Sequence, residues 1–316
     1  MTAGDLDVPT RSAAVRAGAQ RDRVRMRRRE AGFGLAMIAP AMLVVLVFTL
    51  VPILASFVLS LFSWDVISQP KYVGLANFRR LAHDSTVVHS FRVTATLTVA
   101  IVALELVLGL GLAVLVQQRR RATTRALFRT AYYLPLLASG ASVSIVMGYL
   151  FDEKFGVINY YLSLLGAPSV PWLTSDLGAS VTIVLVVVWQ QIGFTFILFV
   201  AALSTLPTDI LEAAAMDGAG PVRLLLRIKL PLISPTVFFA AVVGVINTMQ
   251  LFDQPYIMTS GGPGDATKTT VMVIYQTAFQ NIEFGYGSTI SVALFVVLLA
   301  VTGLQFLASR RWVFYS

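Results

Sequence analysis

Few residues in this sequence could carry chemistry, and most of them stand in apolar company. Glu105 is the only acid deep within a long apolar stretch. An ionisable group in that setting is a functional candidate by default. It suits a proton or ion site, or equally a paired or protonated carboxyl that holds its helix in a bundle. Gln190 and Gln191 form a second polar island, and Asn247, Gln250 and Asp253 a third. Asn247 and Gln250 lie three apart and so share one helix face. Groups of this kind can hydrogen-bond a polyhydroxyl solute in a setting where unpaired polar groups are costly. Asn and Gln also serve as packing contacts between membrane helices, and both readings stand.

Other chemistries fall away. There is no cysteine, so disulfides and thiolate metal sites are excluded. His83 and His89 are too few and too isolated for a typical metal site. Gly262-Pro-Gly-Asp-Ala-Thr-Lys268-Thr269 imitates the phosphate loop GxxxxGK[ST], but it lacks the second glycine and follows no predicted strand. A turn-rich gate, or a contact for an external protein, is the expectation there. The chain therefore carries no nucleotide site or cofactor of its own.

The elements that must position these residues are membrane helices. Of 316 residues, 57% are apolar and 13% charged, against roughly 25% charged in soluble domains. The mean hydropathy of +0.78 agrees. Six apolar segments stand out, at about 33–62, 93–116, 127–150, 180–205, 230–251 and 288–309. Each reaches the length of about 20 residues that spans a bilayer, and far exceeds a barrel strand. The fold class is an all-α membrane protein of about six transmembrane helices. Pro40 and Pro52 are expected to kink the first.

Charge sets the orientation. The first 31 residues hold eight arginines, and the link after the second segment holds Arg119, Arg120, Arg121, Arg125 and Arg129. Arg223, Arg227, Lys229, Arg310 and Arg311 bring one side to 18 of the 24 basic residues. By the positive-inside rule that side, with both termini, is cytoplasmic. Residues 1–31 read as a basic cytoplasmic arm, partly disordered and suited to anionic lipid rather than nucleic acid. Residues 32–312 form the membrane domain.

The link after the fourth segment is unusual. Residues 206–229 predict two short helices and a sharp turn. Thr208 or Asp209 can cap the first helix, with Glu212 placed as in a capping box. Gly218 suits the left-handed residue that ends it, and Pro221 the first turn of the next. Pro231 and Pro235 then separate that helix from the membrane helix beyond. Such a helix-turn-helix is either a docking projection or an ordinary surface loop.

Here the sequence resembles a known family. Glu212-Ala213-Ala214-x-x-Asp217-Gly218-Ala219, followed by Ile228-x-Leu-Pro231, is similar to the EAA loop of ABC importer permeases. Leu225 departs mildly from the aromatic often found there. The wider chain resembles the carbohydrate-uptake branch, with its maltose and glycerol-3-phosphate permeases. Pro52, Ser60–Trp64, Tyr133-Leu134-Pro135, Trp189, Gly193, Phe252-Asp253, Gly261-Gly262-Pro263 and Phe284–Ser288 carry that likeness.

The resemblance implies a permease of the bacterial inner membrane that performs no covalent chemistry. Its partners would be a second permease, two copies of a cytosolic ATPase that bind the ATP and magnesium, and an extracytoplasmic binding protein or lipoprotein. Glu212 would pair with a basic residue of the ATPase. Ala213, Ala214 and Ala219 would permit close helix contact, and Asp217 and Gly218 would hold the turn. The solute would be a disaccharide, polyol or glycerol phosphate. The alternative is a proton-coupled secondary transporter centred on Glu105.

Overall fold

A computed structural model of the chain describes residues 33–117 and 122–314. The arm expected over 1–31, and Arg119, Arg120 and Arg121, lie outside the described residues. The chain divides into two units, Met1–Val58 and Leu59–Ser316.

The first unit holds helix α1, Phe33–Leu59, whose last residue opens the second unit. Its 27 residues are long enough to span a bilayer with tilt. Pro52 lacks the N–H that would bond Phe48 and crowds that carbonyl. The helix responds by widening to a π-helical turn over Leu46–Leu50, closed by the Val51 amide on Leu46 O.

The second unit begins with a short antiparallel hairpin, β1 (Phe62–Ser63) and β2 (Lys71–Tyr72), with Phe62 opposite Tyr72. Helix α2 covers Ala76–His83, and α3 covers Ser85–Gln117. Helix α3 starts ahead of the apolar segment at 93 because Asp84 caps it. Its carboxylate accepts from the Thr86 and Val87 amides at 3.0 and 3.2 Å.

Helix α4 (Ala122–Tyr133) does not continue through 150 as the apolar run suggests. A tight turn at Leu134–Leu137 leads to α5 (Gly140–Leu150), bent by 98°. Pro135 contributes by removing the backbone donor that would continue α4, so the chain tightens there before it turns. Ala138 and Ser139 leave the helical region for polyproline-like geometry.

Helix α6 (Val157–Leu164) precedes α7 (Asp176–Ser204), whose first turn is capped by the Ser175 hydroxyl on the Gly178 amide. Next come α8 (Thr208–Met216) and α9 (Pro221–Leu232). Helix α10 (Ser234–Met249) leaves α9 at 73°. Pro231 is again preceded by a π-helical turn, Leu225–Lys229, and Pro235 opens α10. A π-helical turn at Pro255–Thr259 leads to α11 (Thr270–Tyr275), which widens over Gln276–Gln280 before α12 (Phe284–Ser309). Among the described residues four helices could cross a membrane, or six if each bent pair is one span.

The core lies where α3 packs on α7 and α10. Leu97 and Ile101 meet Ile183, Val187 and Val188, while Ala113 and Val116 meet Phe196, Phe199, Ile233 and Ala240. Lipid is as apolar as these side chains, so association rests on close packing and small residues. A Cβ at Gly109 would sit 2.9 Å from Thr195 Cγ2, and one at Gly193 would overlap the Tyr132 carbonyl oxygen. Both glycines let backbones approach.

A polar cavity and an exposed helical loop at opposite ends of one helix

The break between α4 and α5 frees a carbonyl at Ala138, and side chains gather around it. Gln190, mid-way along α7 and 6% exposed, donates to Ala138 O at 3.1 Å. Gln254 donates in turn to Gln190 Oε1 at 2.8 Å. Irregular backbone at membrane depth persists only where other groups re-satisfy it, and this relay does so.

Beside the relay lies an open cavity of about 380 Å³. Gln190, Gln191, Asn247, Gln250 and Asp253 all line it, with Gln254, Leu136, Gly140, Leu251 and Phe252. Five polar residues from two separate islands thus share one wall. Asn247 lies in α10, whereas Gln250 caps its end and donates to Ile246 O at 3.1 Å. Gly140 lies against the Asp253 carboxylate, which a Cβ there would displace. Gln254 escaped the sequence reading because one amide among turn residues looks solvated. In the fold it is buried, 4% exposed.

Glu105 is elsewhere. It is 4% exposed on α3 and does not line the cavity. Its carboxyl faces Gly244 of α10, where a Cβ would stand 3.6 Å from Oε2, and Oε1 has no hydrogen-bond partner among the described residues.

Residues 261–269 form no phosphate cradle. The Thr267 hydroxyl is used internally, bonding Gly262 O at 2.9 Å and Thr259 Oγ1 at 2.7 Å, and Lys268 pairs with Asp265 at 3.3 Å. Thr269 donates to Leu251 O, and the Thr270 amide to Thr94 Oγ1. The segment ties α11 to α3 and to the end of α10.

The 206–231 loop projects as two helices. Gly218 is left-handed at φ +74°. The Ala219 amide reaches back to Ala214 O at 3.0 Å, the bond that closes a helix end of this type. Glu212, Ala213, Asp217 and Gly218 are exposed; Ala219, Ile228 and Pro231 are half-buried. Ala214 is buried within the chain itself. The expected cap differs too. Helix α8 starts at Thr208, so Thr208 and Asp209 lie in its first turn rather than before it. The Thr208 hydroxyl contacts Asp209 Oδ1 at 3.5 Å instead of a backbone amide. Asp209 still favours the positive end of the helix.

Helix α10 joins the two features, with the loop at its start and the cavity at its end. The Phe314 amide donates to Ser234 Oγ at 3.0 Å, which sets the end of α12 beside the start of α10.

The sequence profile of the family described as "Binding-protein-dependent transport system inner membrane component" matches residues 105–313. The chain belongs to this family. Among curated relatives, this permease is 34% identical over 288 residues to "Probable ABC transporter permease protein YesP" of Bacillus subtilis (strain 168), covering 90% of this chain and 92% of that protein. It is 33% identical over 282 residues to the "Trehalose/maltose transport system permease protein MalF" of Thermococcus litoralis, covering 88% and 94%. A chain of the bacterial alginate ABC transporter, solved with an alginate pentasaccharide-bound periplasmic protein, superposes with a TM-score of 0.80 at 21% identity, covering 90% of the permease and 96% of that chain. That likeness is one of fold. The permease is a multi-pass membrane protein of the ABC importer class.

Proposed function

We propose that this permease moves a sugar or sugar-like solute into a bacterial cell by alternating access, driven by a cytosolic ATPase docked on the 206–231 loop. The observation that carries the reading is the course of α10. Thirteen residue steps of helix, about 20 Å, connect Ser234 beside the loop to Asn247 in the cavity wall. A displacement of the loop that carries the start of α10 with it, across the 73° break at Ile233, would shift the cavity wall at the other end of the same helix, the kind of movement rigid-body switching uses.

The cavity supplies amide donors, amide acceptors and one carboxylate, the inventory that matches hydroxyl groups. The sugar class rests on that chemistry and on the trehalose/maltose relative; a disaccharide, a polyol and a glycerol phosphate all fit it. The loop exposes Glu212 to pair with a basic residue of the ATPase, and leaves Met216 88% exposed beside it. A second permease, two ATPase copies that bind ATP and magnesium, and an external binding protein or lipoprotein complete the assembly. Both termini are cytoplasmic by the distribution of Lys and Arg.

The test is uptake into proteoliposomes holding the whole complex, with binding protein and labelled sugars and glycerol phosphates outside. Intact protein is compared with a Glu212→Ala plus Gly218→Pro variant that still assembles. ATP-dependent uptake lost in the variant supports the reading. Uptake on a proton gradient without ATP, abolished by Glu105→Gln, would overturn it in favour of the secondary transporter.

A further inference from the structure

Between the polar cavity and the far end of the bundle runs an unbroken series of aromatic rings. Phe252, in the cavity wall, stacks on Tyr256 with centroids 4.8 Å apart and planes 17° from parallel. Both meet Tyr275 across the 260–269 loop, at 5.3 and 5.4 Å. Tyr275 leads to Phe279 at 5.6 Å, Phe279 to Phe284 at 5.5 Å, and Phe284 to Trp64 at 6.2 Å. Trp64 borders a second, small cavity with Asp65, Arg80 and Glu283. The series ends away from the loop, since Phe284 starts α12 and the other end of α12 lies by Ser234.

Local sequence builds the series. Phe252 and Tyr256 are four apart on one turn, as are Tyr275 and Phe279, so each pair shares a helix face. The π-helical turns at 255–259 and 276–280 hold the two faces against each other.

A core cluster would bury these rings, yet Phe279 is 62% exposed and Phe252, Tyr256, Tyr275 and Phe284 are half-buried. The rings also have polar company: the Tyr256 side chain meets those of Tyr275 and Gln280, and Asp253 adjoins Phe252. Flat apolar faces interleaved with hydrogen-bonding groups match a saccharide. Its C–H faces rest on the negative face of an aromatic ring, while its hydroxyls point to the flanking polar groups.

We infer that Phe252, Tyr256, Tyr275, Phe279, Phe284 and Trp64 form a stacking track that passes saccharide from the binding-protein side into the polar cavity. This rests on the sugar-import reading above. The track extends past the cavity, so it selects for saccharides of more than one ring.

The test uses the reconstituted complex with Phe279→Leu and Phe279→Trp, and a labelled series from mono- to pentasaccharide plus glycerol phosphate. Leucine keeps the apolar bulk that lipid or a partner helix needs, but removes the face that a sugar needs. The expected result is a rise in KM of about three- to tenfold for the longest saccharide transported. Glycerol phosphate uptake is unchanged, and Phe279→Trp restores the KM. Unchanged KM for every saccharide overturns the track while leaving sugar import standing. Loss of the second permease on purification of Phe279→Leu also overturns it, by showing a subunit contact. If intact complex moves glycerol phosphate but no saccharide, the track falls and the import reading stands; if it moves none of these solutes, both fall together.

Discussion

Gln254 donates its side-chain amide to Gln190 Oε1 at 2.8 Å, joining residues 64 positions apart. Gln190 passes the interaction on to the carbonyl of Ala138 at the break between α4 and α5. One buried amide thus holds three separate segments around the cavity, and its removal has a calculable effect. Gln190→Leu leaves Ala138 O and Gln254 Nε2 without a partner, at a cost of about 1–3 kcal/mol. The expected outcome is a lower thermal midpoint of the purified complex and lost uptake. An unaltered midpoint sinks the assignment of Gln190 as the support of the break.

The two packing glycines differ in what a methyl group would meet. At Gly193 it meets the Tyr132 carbonyl, which is backbone and cannot swing away; at Gly109 it meets the Thr195 methyl, which can rotate. Gly193→Ala should therefore destabilise by about 1–3 kcal/mol, and Gly109→Ala by less. Ranking the two variants by thermal inactivation in detergent checks the order.

Gly218 is held at φ +74°, where a β-carbon is strained and asparagine is tolerated. Gly218→Asn should keep ATP-driven uptake near that of the intact complex. Gly218→Val should lower it with little change in membrane insertion, because the strain is confined to the loop. Co-purification of the ATPase with each variant separates lost docking from lost folding. Equal loss in both variants would mean that the left-handed turn is not the feature that matters.

Asp65 lies outside the membrane helices in the turn after β1. The Ser68 hydroxyl and amide donate to its carboxylate at 2.6 and 2.7 Å and hold it below the usual carboxylate range. A carboxyl lowered in the folded chain favours the ordered turn at neutral pH, and that contribution is lost as pH falls through its folded value. Trp64 Nε1 donates to Ser68 O at 3.1 Å and reports on the same turn. In a variant retaining Trp64 as its only tryptophan, emission should stay constant at neutral pH. It should shift only below about pH 4. A transition near neutrality would contradict this account.

The carboxyl of Glu105 faces Gly244 away from the cavity. Glu105→Gln preserves shape and hydrogen-bonding capacity, so ATP-driven uptake should survive it. Glu105→Leu fills the same space without polar atoms and should survive only where Oε2 has no essential partner. Parallel uptake assays settle which applies.

Much of this architecture is legible in the chain itself. The apolar runs demand membrane helices because backbone groups in lipid must pair internally. The spacing of Gly218 and Pro221 dictates two helices with a sharp turn, for reasons local to a few residues. Other features are not local. Pro135 marks a break near 135, but only the tertiary fold sets a 98° bend there, because the Gln190 amide from a distant helix satisfies the freed carbonyl. The polar islands at 190–191 and 247–253 are visible as islands. Their meeting in one wall depends on how α10 packs against α7. The burial of Gln254 could not be read, since an amide in a turn-rich stretch has the same sequence signature whether solvated or enclosed. The aromatic series shows as i, i+4 pairs, yet its continuity from Phe252 to Trp64 joins residues almost 190 positions apart. Sequence determines what short-range backbone geometry and the lipid solvent require. Tertiary structure decides which polar and aromatic groups meet, because those contacts depend on packing between helices that the local chain does not encode.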